Sequence, residues 1–223
     1  MRAFQVVFFT TLSMSLLTSC ATQKQTGLTA LEIPASQRRG IANTDQVPFV
    51  KHEEKGAFKS YLAMNLPYPE FEKIRESLET KEHLKLINRG EAHITVVTPP
   101  EYDKVLSKKV SIREIHALAE KMNIQDSPYQ KVCVGKGSSK IDGAEQKTYF
   151  VVIHSDRLFE IRKAIQELYV SRGGKAQDFN AESFFPHVTL GYTKRDLHFE
   201  DGVTKDASSC ILTLQEGEHA KKK

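Results

Sequence analysis

The chain has 223 residues, enough for one domain with a real hydrophobic core and short for two ordinary ones. Its 32 Lys and Arg against 28 Asp and Glu leave a net charge of +4, too mild to mark a nucleic-acid binder by charge alone.

The first segment, "MRAFQVVFFTTLSMSLLTSC", carries one positive charge at Arg2, a mostly apolar stretch from Phe4 to Leu17, and the small residues Thr18 and Ser19 just before Cys20. That is the pattern of a targeting segment, too short and too polar in its middle to make a good transmembrane span. Leu17-Thr18-Ser19-Cys20 resembles the lipobox of bacterial lipoproteins. The resemblance implies a signal peptide over residues 1–19, lipid on Cys20 and a cell-envelope placement. The outer membrane is favoured, since Ala21 and Thr22 offer no obvious retention signal; the alternative is an ordinary cleaved signal peptide with an incidental cysteine. Residues 20–55 are rich in Gln, Thr, Ser and charge, with Pro34 and Pro48 and no sustained apolar period, and read as a flexible tether. Residues 56–218 read as one domain and 219–223 as a basic tail.

Within the domain, strand and helix signals alternate. "AFKSYLAMNL" reads as a strand, and "YPEFEKIRESLETKEHL" as a helix with Phe71, Ile74 and Leu78 on one face. "AHITVVT" is the next strand. "SIREIHALAEKM" opens with Ser111 and Glu114 in capping-box spacing and keeps Ile115, Leu118 and Ala119 together. "YQKVCVGKGSSKIDGAEQKTYFVVIHS" reads as a hairpin around a Gly- and Ser-rich connection. "DRLFEIRKAIQELYVSRGG" is a helix stopped by Gly173 and Gly174, and strands follow at "FFPHVTLGYT" and "CILTLQE". Cys133 and Cys210 both fall on strand-like segments; a disulfide and two separately buried thiols are both compatible with that.

Two strands carry the chemistry. In "GEAHITVVTPP" and "SFFPHVTLGYT", His93 and Thr95, and His187 and Thr189, stand two residues apart. Side chains at i and i+2 share a strand face, so each His lies beside its Thr while Ile94, Val96, Val188 and Leu190 turn the other way, against helices. Each pair follows a helix and a polar connection, placing the two strands alike in two similar halves.

The paired elements "HITV" and "HVTL" resemble the signature of the 2H phosphoesterase superfamily, which includes the RNA cyclic phosphodiesterases and bacterial LigT-like proteins. "FFPHVTLGYTKRDLHFEDGVTKD" further resembles the branch related to the RNA-repair Swiss-army-knife proteins. The resemblance implies a bilobal α+β fold, with two antiparallel sheets forming a groove, helices on their outer faces and one His-Thr pair from each sheet. It also implies a phosphodiesterase acting on a 2',3'-cyclic phosphate or another 2'-linked phosphodiester in nucleotides or short RNA, as a monomer. His93 and His187 would be the catalytic base and acid, in an order left open, and Thr95 and Thr189 would bind substrate. No Cys or carboxylate cluster accompanies either motif, so neither a metal nor another cofactor is expected.

The other histidines, His52, His83, His116, His154, His198 and His219, lack such a setting and are read as structural or solvated. His116 is expected on a helix surface, and His198 merits attention for its nearness to a motif. Arg195 to His198 could touch substrate, and a charged turn after a strand is the favoured reading of it. "GKGSSKIDG" does not match a P-loop and reads as a hairpin tip bordering the groove. Two further readings compete with the enzyme: an envelope lipoprotein that binds phosphorylated ligands in the same groove without turnover, and a structural lipoprotein in which the motifs are packing residues.

Overall fold

The computed structural model describes residues 29–33, 39–41 and 47–216. The expected signal segment, Cys20 and the basic tail lie outside the described residues.

The elements run β1 (Thr29–Ile33), β2 (Arg39–Ile41), β3 (His52–Glu53), β4 (Ser60–Leu66), α1 (Tyr68–Glu82), β5 (Ala92–Val97), α2 (Pro99–Lys104), α3 (Ile112–Lys121), β6 (Pro128–Ile141), β7 (Ala144–His154), α4 (Asp156–Ser171), β8 (His187–Tyr192) and β9 (Cys210–Glu216). The expected α+β architecture is present. A larger sheet runs β1-β9-β6-β7-β8 with β2 on β6, and a smaller one runs β3-β4-β5. Capping boxes open α2, at Thr98 and Glu101, and α3, at Ser111 and Glu114. The long hairpin turns at Asp142 and Gly143, both with positive φ, as a two-residue turn demands.

Two expectations change. The larger sheet is not wholly antiparallel, because β1 joins β9 in parallel. The strands β1, β2 and β3 also lie inside the stretch read as a tether. In "TALEI" only Leu31 and Ile33 are buried, and two alternating apolar residues suffice to add a short strand to an existing edge although they make no sustained period.

One contiguous apolar core joins the sheets. Ile94 and Val96 of β5, Val188 and Leu190 of β8, Phe71, Ile74 and Leu78 of α1, and Leu158, Ile161 and Ile165 of α4 all belong to it. The helices reach across, with α1 contacting β8 and α4 contacting β5. Arg162 of α4 braces that crossing. Its guanidinium, 1% exposed, donates to the carbonyls of Val96, Ala181, Asn180 and Ser183 and to the Glu101 carboxylate. Its planar group lies over the rings of Phe179 and Phe184 at 4.6 and 4.9 Å. Every N–H of the fork finds an acceptor, so the buried charge is compensated while the end of β5 is tied to the segment leading into β8.

A second tie works by close approach. Ile87 exchanges backbone hydrogen bonds with Tyr192 at the free edge of β8. A Cβ at Gly191 would meet the Ile87 carbonyl oxygen at 2.7 Å, so only glycine lets the 86–91 segment lie this near.

Candidate active site

Strand parity works as the alternation requires. Along β5 and β8 the His and Thr side chains are half-buried, while Ile94, Val96, Val188 and Leu190 are sealed in the core. The strands lie side by side where the sheets meet, and His93, Thr95, His187 and Thr189 all line one groove of about 550 Å³. Four residues with separate packing duties would not converge in this way.

The two imidazoles sit in different settings. His187 Nδ1 lies 2.7 Å from the Phe185 carbonyl oxygen, and its ring meets the Phe150 edge at 5.8 Å between centroids. A carbonyl only accepts, so Nδ1 carries the hydrogen and the neutral ring keeps its lone pair on Nε2. Burial lowers the affinity of His187 for a proton, and the nearby Lys205 ammonium lowers it further against the opposing Phe185 bond. Burial also lowers His93, but the Glu91 carboxylate, 3.8 Å from its Nδ1, acts in the other direction. Asp196 and Lys205 act on both rings, which marks a shared electrostatic environment.

The two hydroxyls also differ. Thr189 donates its single hydrogen to Asp196 at 3.1 Å, whereas Thr95 has no protein partner among the described residues. Asp196 accepts as well from the Thr148 hydroxyl at 2.6 Å and the Lys205 ammonium at 2.9 Å. Burial pushes the Asp196 carboxyl up, but Lys205 and these hydrogen bonds outweigh it and hold the group well below the usual carboxylate range. Two His-x-Thr strands thus converge on one groove. A model of the Swiss Army Knife 2H phosphoesterase domain matches residues 60–198, from the start of β4 through the turn after β8. The chain belongs to this family. No curated protein and no solved structure matches it. Members of the 2H phosphoesterase family are hydrolases of phosphodiester bonds, and the domain implies a nucleotide or RNA type of substrate.

Around the paired motifs of this 2H phosphoesterase domain stand further residues, of which His198 stood out in the sequence and Lys205, Tyr61 and the phenylalanines did not. The charged turn after β8 supplies Asp196 and His198 to the groove, and the loop before β9 supplies Lys205. Tyr61 lines the groove 6.3 Å from the His93 ring and is itself stacked on His52 at 3.9 Å. Phe58, Phe185 and Phe199 line the same groove and are 50%, 39% and 73% exposed. Among the described residues, no group of three or more His, Cys, Asp or Glu is placed to hold a metal ion.

Other expectations are corrected. His116 is fully buried, with its ring nitrogens facing Glu53 Oε1 at 3.2 Å and the Tyr61 carbonyl oxygen at 3.0 Å, so it fastens β3 and β4 to α3. The Gly-rich hairpin does not border the groove: none of residues 135–143 lines it. Gly135 and Gly137 serve packing, since a Cβ would collide with the Phe150 side chain at the first and, at the second, with the Val203 side chain on the loop that carries Lys205. The two open cysteines are joined, Cys133 to Cys210, with 5.8 Å between their Cα atoms.

Proposed function

We propose that the protein hydrolyses a 2',3'-cyclic phosphate, or another 2'-linked phosphodiester, in nucleotides or at RNA ends. The observation that carries this reading is the convergence of two imidazoles and two hydroxyls on one groove, with no hydrogen-bond partner for His187 Nε2 among the described residues. In the proposed step, Nε2 of His187 takes a proton from water as the water oxygen bonds to phosphorus. The opposite P–O(ribose) bond breaks, and His93 gives its proton to the departing oxygen, leaving a nucleoside monophosphate. The asymmetry of the rings supports this order: Lys205 favours a neutral His187, while Glu91 favours an imidazolium at His93. Thr95 has its hydroxyl available for a non-bridging oxygen.

The purified domain is expected to turn over cyclic mononucleotides, 2'-5' dinucleotides or cyclic-phosphate-ended RNA in EDTA, since the two imidazoles supply both proton transfers. The productive form carries one proton on the pair. Because both rings are held below the ordinary histidine value of about 6.5, the bell-shaped profile of kcat/KM should have its optimum on the acid side of that value. Bound phosphate, being negative, favours imidazolium, so the kcat profile should lie at higher pH. Loss of turnover in EDTA with rescue by a divalent metal would contradict the reading, as would turnover of no member of the panel.

We further propose that Cys20 carries lipid and holds the domain in the cell envelope. The lipobox-like segment supports this, as does the disulfide, a bond that persists in oxidising compartments. Cys20→Ser should move the protein from the detergent phase to the soluble fraction. Wild-type protein recovered unmodified and soluble would contradict it.

A further inference from the structure

Three cations line the groove, and they are not equivalent. The N–H groups of Arg162 are consumed by carbonyls and Glu101. Arg89 is largely exposed, with Glu91 at 3.6 Å. Lys205 is 4% exposed, yet its ammonium has one acceptor among the described residues, Asp196 Oδ1 at 2.9 Å. An ammonium has three hydrogens to give, and beyond Asp196 it faces, among the described residues, only the Phe150 ring, 5.6 Å from its centroid, a weaker partner than an oxygen, so at such burial the site favours a further acceptor.

We propose that Lys205 is the phosphate-binding cation of the groove, with Asp196 as the residue that positions it. The proposal rests on the reading of the groove as a phosphodiester site and extends it to a residue beyond the matched segment, which ends at residue 198. Thr189 has its hydrogen turned to Asp196, so on its own side of the groove the donor left for a phosphate oxygen is the ammonium. Asp196 thus commits the hydroxyls of Thr148 and Thr189 and aims one cation. The loop that carries Lys205 is seated on β6 by Val203 against Gly137, and at its end by the disulfide at Cys210. Lys205 also acts on His187, which agrees with an ammonium facing the reacting centre.

The experiment is titration of the whole chain with inorganic phosphate and with adenosine 2'-monophosphate, followed by calorimetry, beside turnover of a cyclic mononucleotide. Lys205→Met should weaken phosphate binding by on the order of tenfold or more, the loss expected for a hydrogen bond to a charged group. Lys205→Arg should retain most of it. Because Lys205→Met strands the Asp196 carboxylate, Lys205→Met with Asp196→Asn serves as a charge-balanced second variant, its fold checked by circular dichroism. Undiminished phosphate affinity in a folded Lys205 variant overturns the proposal, as does absence of phosphate binding by the wild type. The two readings separate cleanly. Turnover that ignores Lys205 removes this inference alone, whereas Lys205-dependent phosphate binding without turnover of any diester keeps it and removes the phosphodiesterase.

Discussion

His93→Ala and His187→Ala are each expected to lower kcat by on the order of 10²- to 10⁴-fold, the usual worth of a positioned proton-transfer group. The double variant should fall by far less than the product of the two, because both rings act on one transition state. The fold should tolerate either change: His93 and His187 are half-buried on the groove side, and the core face of each strand is left intact. The loss should therefore appear in turnover while thermal stability barely moves. Full activity in either variant would mean that the His-x-Thr strands serve another purpose. Multiplicative losses would mean that the rings act in separate steps.

Removing the Cys133–Cys210 bridge is expected to have the largest effect on stability. The bond closes a loop between residues 77 apart, and the chain-entropy relation gives about 4.5 kcal/mol for a closure of that length. For a domain of this size that corresponds to a fall in Tm of roughly 10 °C. The bridge joins β6 to the start of β9 and lies in a small apolar cluster with Phe150 and Val152. Phe150 is also the ring against His187, and Lys205 sits on the loop that ends at Cys210, so loosening this corner should cost activity as well. Melting the oxidised chain, the reduced chain and a Cys133→Ala, Cys210→Ala variant checks this. Equal Tm values across the three would contradict it.

The two His-x-Thr strands were legible in the sequence because their signal lies in local spacing. Period-two alternation put His93 and Thr95, and His187 and Thr189, on one face, and the burial of Ile94, Val96, Val188 and Leu190 follows from the same parity. His116 was misjudged by residue type rather than by spacing: Ile112, Ile115 and Ala119 are buried, and position 116 shares their helix face. Lys205 was not legible and Asp196 only as part of a turn that could touch substrate, since a charged turn and a lone lysine before a strand look solvated until the fold buries them together. The disulfide depends on how β6 and β9 pair, a property of register that no linear spacing carries. β1 was missed for a related reason, as two apolar residues become a strand only when an edge is there to receive them.

In the proposed step His187 takes a proton from water while His93 gives one to the departing ribose oxygen. This assignment is tested most directly with a substrate carrying sulfur in place of that oxygen, because a thiolate leaves without a proton. On this substrate His93→Ala should recover a rate close to that of the wild type, while His187→Ala, still lacking its base, should remain slow. Recovery by His187→Ala instead, or by neither variant, would contradict the assignment.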